Sequence, residues 1–462
     1  MEVHMKKAIL LSFFGTTRLR EHERVIDKFI NGFKNEFNDC DIKICFTSRI
    51  VKKILEKKGM SFDDECEAIK KLKEAGYKDI RVVSTNIIPG EEYKKLKNVS
   101  NRLTTPFISN SKDIAKLIDG MTAFKLNEGE EFIYVGHGTY HVADRIYEDI
   151  DNAFREKNNK YHMMSIEGEL DLDSVVENLS KDTKTIYLRP FMLVSGVHML
   201  EDIASDDEDS IKTRLEKLGY EVKLIDKGLG EEDYFLNDSI EKVKAMEEPL
   251  LNIVGVGPGD EDLLTVKAIL TLKNTNAVFV LDNRGRNLAL DTVMSYVKDK
   301  PIIKMPFDMK SANEALYNEL KLKLEEALAE YRDVSFVTIG DAAVFSTPMN
   351  LSKILDKKIN INLINGMPSF VALTAMNKEP LIEKGESLVI SDNTELVESA
   401  KPDRAVILKG TLNKEAVLKL KDTYEAEYFK RISMPNEMYL TDEEEIRKDN
   451  DYISLFYLKK RK

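Results

Sequence analysis

Short apolar runs alternate with charged segments along the first half of the chain. The charged segments carry apolar residues at three- and four-residue spacing, which predicts helices, whereas the continuous apolar runs predict buried strands. The predicted strands are 8–14, 42–46, 80–88, 132–135 and 185–194, and the predicted helices include 21–37, 64–75 and 144–157. This alternation is typical of an α/β fold with a mainly parallel sheet, in which chemistry lies beyond the carboxyl ends of the strands.

The first half also contains a weak internal repeat. AILLSFFGTT followed by RVIDKFINGF resembles EFIYVGHGTYH followed by RIYEDIDNAF, and KDIRVVSTNIIPGEEY resembles KTIYLRPFMLVSGVHM. Such a repeat predicts two α/β lobes, about 1–128 and 129–246, that face each other across a cleft.

The repeat aligns Glu92 with His198 and Phe14 with His137, each at the end of a predicted strand. Imidazole binds borderline divalent ions and takes up protons near neutral pH. Glu92 adds an oxygen ligand or a proton acceptor, and His141 lies in the same GHGTYH motif as His137. The pattern therefore indicates a metal or proton-transfer site; the alternative for any single histidine is a cap or filler of a turn.

Near residue 248 the pattern restarts, because the charged helix 237–248 ends at Pro249 and a new apolar strand runs into LNIVGVGPGD. The joint has no Gly/Ser tether, which predicts closely packed domains over 1–246 and 249–462. The loop GVGPGD, residues 255–260, lacks the GxGxxG spacing of the dinucleotide fingerprint. A Rossmann oxidoreductase is therefore not supported.

Composition narrows the class of protein. The 462 residues include 69 basic and 81 acidic side chains, a net charge of −12, which argues against nucleic acid as a partner. The three cysteines (Cys40, Cys45 and Cys66) form no CxxC pair, and no apolar run approaches the length of a membrane span. We expect a reduced, soluble, cytoplasmic protein without a membrane partner, and a homo-oligomer is compatible with the sequence.

The motifs SFFGTT, FTSRIVKKI, NIIPGEEYKKL, GHGTYH, LRPFMLVSGVH and IASDDEDS resemble, in order and spacing, the anaerobic sirohydrochlorin cobaltochelatase family. The resemblance covers nearly all of residues 5–230. It implies two flavodoxin-like lobes with the tetrapyrrole in the cleft, and Co²⁺ and sirohydrochlorin as substrates. It also implies that His137, His198 and Glu92 are the catalytic and metal-binding residues. Asn86 stands where family members can carry a histidine.

The implied reaction removes two N–H protons from the ring as the metal enters, so side chains that present the ion can also accept protons. The substrate bears eight carboxylates, which makes Arg18, Arg49 and Arg189 candidate anchors near predicted strand ends; solvated surface charge is the alternative. The acidic run 206–209 is predicted to cap the following helix, and metal capture is the alternative.

In the second half, GVGPGD, VSFVTIGDAAVFSTPMNLSKIL and INLINGMPSFVALTAMNKEPLIEKGESLVI resemble the tetrapyrrole methylases that use S-adenosylmethionine, across about 250–460. The GDxxxFST pattern favours the cobalt-factor II (precorrin-2) C20-methyltransferases within that group. The resemblance implies a two-lobed α/β domain. It assigns methyl-donor binding to Pro258, Gly340, Asp341, Val344, Ser346, Thr347, Ser369 and Leu408.

Two loops of the second half depart from the methylase pattern. Ala342 replaces the proline of GDP, and Asn365-Gly366-Met367-Pro368 replaces a Pro-Gly-Ile-Ser/Thr loop. These departures leave a partly inactive second domain as an alternative.

Together the two resemblances predict a bifunctional enzyme of corrinoid (cobalamin) biosynthesis that inserts Co²⁺ into sirohydrochlorin and methylates the resulting cobalt-factor II at C20. One alternative is a ferro- or nickel-chelatase fused to another tetrapyrrole methylase. The other is a noncatalytic carrier of a tetrapyrrole or a metal.

Overall fold

The computed structural model describes residues 5–139, 142–196, 199–282, 287–307 and 313–461. The chain divides into two compact units, Met1–Glu248 and Pro249–Lys462. No helix among these described residues is long and apolar enough to cross a membrane.

The first lobe of unit 1 is built on a three-stranded sheet whose central strand is buried at every position but its first, as expected for a parallel strand covered on both faces. Its strands are β1 (Lys7–Phe13), β2 (Asp41–Phe46) and β3 (Asp79–Ser84). They pair in parallel in the order β2-β1-β3. Its helices are α1 (Leu19–Glu21), α2 (Lys28–Glu36), α3 (Arg49–Lys57), α4 (Glu65–Glu74), α5 (Glu91–Lys97) and α6 (Ser111–Met121), with a π-helical segment His22–Asp27 between α1 and α2.

The second lobe repeats this plan with one more strand. Its strands are β4 (Glu130–Gly136), β5 (Tyr161–Ser165), β6 (Thr185–Pro190) and β7 (Glu221–Leu224). They pair in parallel in the order β5-β4-β6-β7. Its helices are α7 (Arg145–Lys157), α8 (Leu172–Val176), α9 (Ile211–Lys217) and α10 (Asp233–Lys244), and the shorter turns are Val142–Asp144, Met199–Ile203 and Leu229–Glu231.

Both strand orders follow the start of the flavodoxin-like 2-1-3-4-5 order, so the α/β prediction is confirmed. One helix of each lobe also packs against the other lobe. Helix α6 reaches the second sheet, where the Tyr134 hydroxyl donates to the carbonyl of Met121. Helix α10 returns to the first lobe, where Gly32 of α2 lies so close to Leu236 that an added Cβ would come within 2.7 Å of it. One apolar cluster therefore runs through both lobes.

Two predicted strands end earlier in the structure than in the prediction. The run predicted as 80–88 ends at Ser84, and the run predicted as 185–194 ends at Pro190. The residues beyond these ends are apolar because they pack, as loops, into the cluster that joins the lobes, as Ile87 and Leu193 do. Strands β5 and β7 were not predicted. The mostly exposed edge strand β7 alternates polar and apolar residues over only four positions, which is too short for a strand signal.

Unit 2 begins with a five-stranded parallel sheet in which β8 lies between β11 and β12. Its strands are β8 (Leu250–Gly255), β9 (Ala277–Asp282), β10 (Ile302–Pro306), β11 (Asp333–Thr338) and β12 (Asn360–Ile364), in the order β10-β9-β11-β8-β12. The helices are α11 (Val266–Asn274), α12 (Leu288–Val297), α13 (Glu314–Tyr331), α14 (Thr347–Ser352) and α15 (Ser369–Asn377), preceded by the turn Glu261–Leu263.

The second lobe of unit 2 is a mixed sheet in which only β13 and β14 pair in parallel. Its strands are β13 (Leu388–Ser391), β14 (Arg404–Leu408), β15 (Tyr424–Lys430), β16 (Met438–Leu440) and β17 (Ser454–Lys460), in the order β13-β14-β17-β15-β16. Its helices are α16 (Glu395–Ala400), α17 (Gly410–Leu418) and α18 (Glu443–Lys448). Unit 2 is thus a two-lobed α/β domain, as predicted.

Candidate functional site

His137 follows the last residue of β4, at the carboxyl end of the second sheet. Its side chain is 35% exposed, and its Nδ1 lies 3.7 Å from an oxygen of Glu167. Its carbonyl accepts from the backbone N–H of Glu167 at 2.9 Å. Gly138 has φ +84°, and a Cβ there would lie 2.5 Å from the nitrogen of Gly168, so only glycine fits beside the imidazole. The loop after β5 therefore supports His137.

Glu92 lies in the first turn of α5, in the first lobe. Its Oε1 accepts from Lys95 Nζ at 2.6 Å, and Lys95 also donates to the carbonyl of Thr47. Its Oε2 is buried and has no hydrogen-bond partner among the described residues. A buried carboxylate oxygen without a donor is costly, and this oxygen is available to a cation or a proton.

The structure brings the segments of Glu92 and His137 together from different lobes. A Cβ added to Gly90 would lie 3.7 Å from the Thr139 hydroxyl oxygen, two residues after His137. The Asp144 carboxylate connects the segment after β4 to the loop after β5, because it accepts from the backbone N–H groups of Thr139 and Glu169. Asp144 was not predicted; its only signal in the sequence is its place at the start of a predicted helix.

His198 and His141 lie outside the described residues. The described part of the chain contains no group of three His, Cys, Asp or Glu side chains placed to hold a metal ion. Asn86, at the position where the chelatase family can carry histidine, accepts from the Ser84 hydroxyl at 2.9 Å. Its side chain thus has a partner within its own turn.

The three candidate arginine anchors all form ion pairs within the protein. Their closest partners are Asp226 for Arg18 at 2.7 Å, Glu65 for Arg49 at 2.6 Å and Glu232 for Arg189 at 2.6 Å. None of them is therefore an unpaired cation that awaits a carboxylate. Arg18 and Arg189 are also mostly buried, at 17% and 12% exposed, whereas the Arg49 side chain is 42% exposed. The expected cap by residues 206–209 is also wrong, because Ser210 accepts from the backbone N–H of Thr213 and caps α9.

Phe14 is an exposed aromatic residue at the carboxyl end of β1, with 44% of its surface accessible. Its carbonyl accepts from the backbone N–H of Ser48. The next residue, Gly15, has φ +101°, and a Cβ there would meet the Phe46 ring at 2.9 Å. The backbone is therefore held in place while the Phe14 side chain remains accessible.

A buried group of charges lies at the contact between the lobes. Glu21 is fully buried, and neither of its carboxylate oxygens has a hydrogen-bond partner among the described residues. The nearest cations are Arg18 at 3.7 Å and Arg24 at 3.8 Å, beyond hydrogen-bond distance. Burial raises the pKa of Glu21, whereas the hydrogen bonds from Arg18 lower the pKa of Asp226.

In unit 2, three glycine-containing loops meet at the carboxyl ends of β8, β11 and β12. Gly257 and Gly340 exchange two backbone hydrogen bonds, of 3.1 and 2.7 Å. A Cβ on Gly255 would lie 2.7 Å from the nitrogens of Ala342 and Gly366. The connection after β8 leads to β9 on one side of the sheet, and the connection after the adjacent β11 leads to β12 on the other side. This edge is therefore the switch point at which open α/β sheets bind ligands.

Asp341 ties two of these loops together. Its carboxylate accepts from the backbone N–H of Ala343 at 2.7 Å, from that of Gly366 at 3.0 Å and from Asn365 Nδ2 at 3.2 Å. Asn365 is one of the departures from the methylase pattern, and its amide supplies an extra donor to Asp341. Ala342, the other departure, is fully buried in the adjacent apolar core.

The remaining predicted donor-binding residues lie around the same edge. Ser346 caps α14 through the backbone N–H of Met349, and Thr347 begins that helix. Ser369 begins α15, and Pro258 is buried in the glycine loop. Val344 and Leu408 pack on one apolar cluster that joins the two lobes of unit 2.

A cavity of about 450 Å³ opens beside these loops. None of the eight predicted donor-binding residues lines this cavity. One lining residue, Asn365, donates a hydrogen bond to Asp341, which is among the eight. Its lining residues are Asp262, Leu263, Leu264, Thr265, Asn365, Gly366, Met367, Pro368 and Val371.

Two residues at this edge were not predicted. Phe345 is 55% exposed and has φ +47°, a conformation that a bulky residue adopts only under constraint. Met434 comes from the second lobe, and its side chain lies 2.6 Å from the position of a Cβ added to Gly259. Phe345 is the phenylalanine of the GDxxxFST pattern, so the sequence contained a signal for it, whereas Met434 comes from a distant loop that no pattern marks.

Family models match both halves of the chain. Residues 7–248 match the cobalt chelatase (CbiK) family, and residues 250–446 match the tetrapyrrole (corrin/porphyrin) methylases.

Curated relatives divide in the same way. Residues of the first half are 31% identical to a sirohydrochlorin cobaltochelatase of Salmonella typhimurium over 49% of this chain and 91% of that protein. They are 28% identical to the cobaltochelatase CbiKC of Nitratidesulfovibrio vulgaris over 50% and 87%. The second half is 32% identical to a probable cobalt-precorrin-2 C(20)-methyltransferase of Methanocaldococcus jannaschii over 45% and 94%.

The buried Glu21 carboxyl leads to a pH-dependent prediction. Because its pKa is raised on folding, its contribution to stability is complete below the usual glutamate pKa and is lost as pH rises through the raised value. We expect Glu21→Gln to raise the unfolding temperature at about pH 7.5, with a gain that shrinks toward about pH 4.5. Thermal unfolding followed by circular dichroism across this range measures the difference. The control is Glu23→Gln, at an exposed neighbour; equal shifts for both variants would contradict the assignment.

Proposed function

We infer the function from one premise: the chain belongs to the cobalt chelatase (CbiK) family over residues 7–248 and to the tetrapyrrole (corrin/porphyrin) methylase family over residues 250–446. We propose that it catalyses two consecutive steps of corrinoid biosynthesis. The first unit inserts Co²⁺ into sirohydrochlorin, and the second methylates the resulting cobalt-factor II at C20. The observation that carries the chelatase half is the buried Glu92 oxygen, which has no hydrogen-bond partner among the described residues and lies near the loop of His137.

Metal insertion exchanges the water ligands of the ion for ring nitrogens and releases two N–H protons. Glu92 Oε2 is a hard, negatively charged acceptor for the hydrated ion or for a released proton. His137, with a third of its side chain exposed, offers a ring nitrogen as ligand or proton acceptor on the other lobe. His198 completes this set in the proposal, by its position in the repeat and in the family motif.

Phe14 provides an apolar surface beside this set. It directly follows β1, which pairs with β2. Thr47, directly after β2, accepts the hydrogen bond from Lys95, the partner of Glu92. An exposed aromatic ring at that place suits the flat face of a macrocycle.

Unit 2 fits S-adenosylmethionine as methyl donor. The cavity beside the glycine loops has the volume of a small-molecule site, and its leucine, methionine, proline and valine side chains suit an adenosyl group. The space next to Gly340 is open, since a Cβ there would meet no atom of the described residues within 4 Å. The donor supplies an electrophilic methyl group. The chain contributes positioning: Asp341 holds the Ala343 and Gly366 backbones, and therefore the walls of the site, in one arrangement.

Cobalt is favoured over iron or nickel because the curated relatives of both halves are named for cobalt-dependent steps. The two resemblances also belong to adjacent reactions, which a carrier protein would not require.

Anaerobic incubation with sirohydrochlorin tests the proposal. We expect a Co²⁺-dependent change in absorbance with many turnovers per protein, and then, after S-adenosylmethionine is added, a mass gain of one methyl group on the cobalt product. His137→Ala should lower the rate of insertion by about 100-fold or more, because it removes a ligand and proton acceptor.

In that experiment methylation of supplied cobalt-factor II serves as the control and should be unchanged in His137→Ala. Stoichiometric uptake without turnover would overturn the chelatase assignment in favour of a carrier.

The methyl-donor site has its own prediction. Asp341→Ala removes the acceptor of three donors, so we expect binding of S-adenosylhomocysteine to weaken by about tenfold or more, with cobalt insertion unchanged. Isothermal titration measures the affinity. Asp356→Ala is the matched control, because it removes a carboxylate that accepts from the backbone N–H of Lys358 within its own turn. Equal affinity in the Asp341 variant would refute the role.

Phe14 predicts an effect on substrate binding. Phe14→Ala should raise the KM for sirohydrochlorin by about three- to tenfold with little change in kcat, since an aromatic contact contributes about 0.5–1.5 kcal/mol beyond its buried area. Phe124→Ala is the control, because Phe124 is equally exposed (43%) but packs against Phe132 and Tyr187. A KM unchanged in Phe14→Ala, or raised as much by the control, would refute the contact.

A further inference from the structure

Arg18 connects the two lobes of unit 1 at one point. It lies at the end of the loop between β1 and α1 in the first lobe. Its guanidinium forms two hydrogen bonds with the Asp226 carboxylate of the second lobe, at 3.2 and 2.7 Å. The same guanidinium donates to the carbonyl and to the hydroxyl oxygen of Ser195, at 3.0 and 3.1 Å. The Ser195 hydroxyl in turn donates to Asp226 at 2.6 Å. We call these three residues the Arg18 clasp.

The clasp closes on a segment that is already tightly bound within the second lobe. Leu229 and Gly230 donate their backbone N–H groups to the carbonyls of Met192 and Leu193, both at 2.9 Å. A Cβ on Gly228 would lie 2.5 Å from the Leu193 carbonyl oxygen. Ser195 itself is fully buried. The loop after β6 is therefore fixed to the loop after β7, and Arg18 fixes both to the first lobe.

A close apolar contact between the two lobes lies near the clasp. A Cβ on Gly230 would lie 2.5 Å from Val25, in the π-helical segment that follows Arg18. Arg18 is only 17% exposed, so its hydrogen bonds are largely shielded from water. A bidentate, partly buried arginine–carboxylate pair has a defined geometry, which a lysine cannot reproduce.

We propose that Arg18 is a positioning residue for metal insertion: through Asp226 and Ser195 it fixes the loops after β6 and β7, and with them the second lobe that carries His137, relative to Glu92 on the first lobe. This rests on the proposed chelatase function. The physical reason is that the residues proposed to handle the ion come from both lobes, and a misplacement of about 1 Å can lower a rate by about 100-fold. The role replaces the one expected from sequence, in which Arg18 bound a substrate carboxylate.

The experiment compares Arg18→Lys, Asp226→Asn and the exchanged pair Arg18→Asp/Asp226→Arg in the full-length protein. We expect each single variant to lower kcat for cobalt insertion by about tenfold or more, with the KM for sirohydrochlorin changed less than about threefold. The exchanged pair should recover at least about threefold of the lost kcat, since it restores the pairing of charges. Methylation of supplied cobalt-factor II should be normal in all variants, which shows that unit 2 remains folded.

Hydrogen–deuterium exchange gives a readout that does not depend on activity. Arg18→Lys should increase exchange in the peptide that contains residues 191–200, because the segment loses its tie to the first lobe. Arg155→Lys is the matched control. It changes an arginine that pairs with Asp151 at 2.7 Å within a single helix of the second lobe, and should alter neither kcat nor exchange in that peptide.

The outcomes separate the possible roles. A raised KM with unchanged kcat and no recovery in the exchanged pair would show a substrate anchor and overturn the proposal. Unchanged exchange in residues 191–200 would overturn the clasp itself. Increased exchange in Arg18→Lys, in a protein whose wild type inserts no cobalt, would support the clasp and refute the proposed chelatase function.

Discussion

The parallel pairing of the strands is the constraint on which both sites depend. A parallel sheet is covered by helices on both faces, so only the loops at its edges are open to chemistry, and all carboxyl ends meet at the same edge. In this chain His137 follows β4, Phe14 follows β1, and the glycine loops of unit 2 follow β8, β11 and β12. Loops that converge so closely leave no space for side chains, which is why Gly138, Gly255 and Gly366 stand where the backbones touch.

The chelatase unit places its chemistry at a contact between two similar lobes, and this contact is built by exchange. Helix α6 of the first lobe packs against the second lobe, and helix α10 of the second lobe packs against the first. One apolar core therefore spans both lobes. The Arg18 clasp adds a polar tie with a defined geometry to that apolar contact. Apolar packing holds the lobes together, and hydrogen bonds to a charged group determine their register, since only the latter depend strongly on direction.

The electrostatics of unit 1 differ from what a substrate with many carboxylates suggests at first. The three arginines nearest the strand ends are used within the protein, with Asp226, Glu65 and Glu232. Of the three carboxylates, only that of Glu65 is buried and would be costly to leave without a partner, whereas those of Asp226 and Glu232 are 38% and 39% exposed. In unit 2 a buried carboxylate likewise accounts for one departure from the family pattern, because the amide of Asn365 donates to Asp341. Linking the two units in one chain raises the local concentration of the first product near the second site.

The sequence by itself determined the fold class, the repeat and both family memberships, because buried parallel strands, glycine loops and a set of spaced motifs are local patterns. Through the alignment of the repeat, which paired Glu92 with His198 and Phe14 with His137, it also indicated that these residues lie at equivalent strand ends of the two lobes. Only the tertiary structure decided which charges are free to act. Arg18 and Asp226 are 208 residues apart in the chain, and Asn365 and Asp341 lie on different loops. Met434 reaches Gly259 from another lobe. Such partners are determined by how lobes and loops pack, and no local pattern of apolar and polar residues shows which distant residues will come into contact.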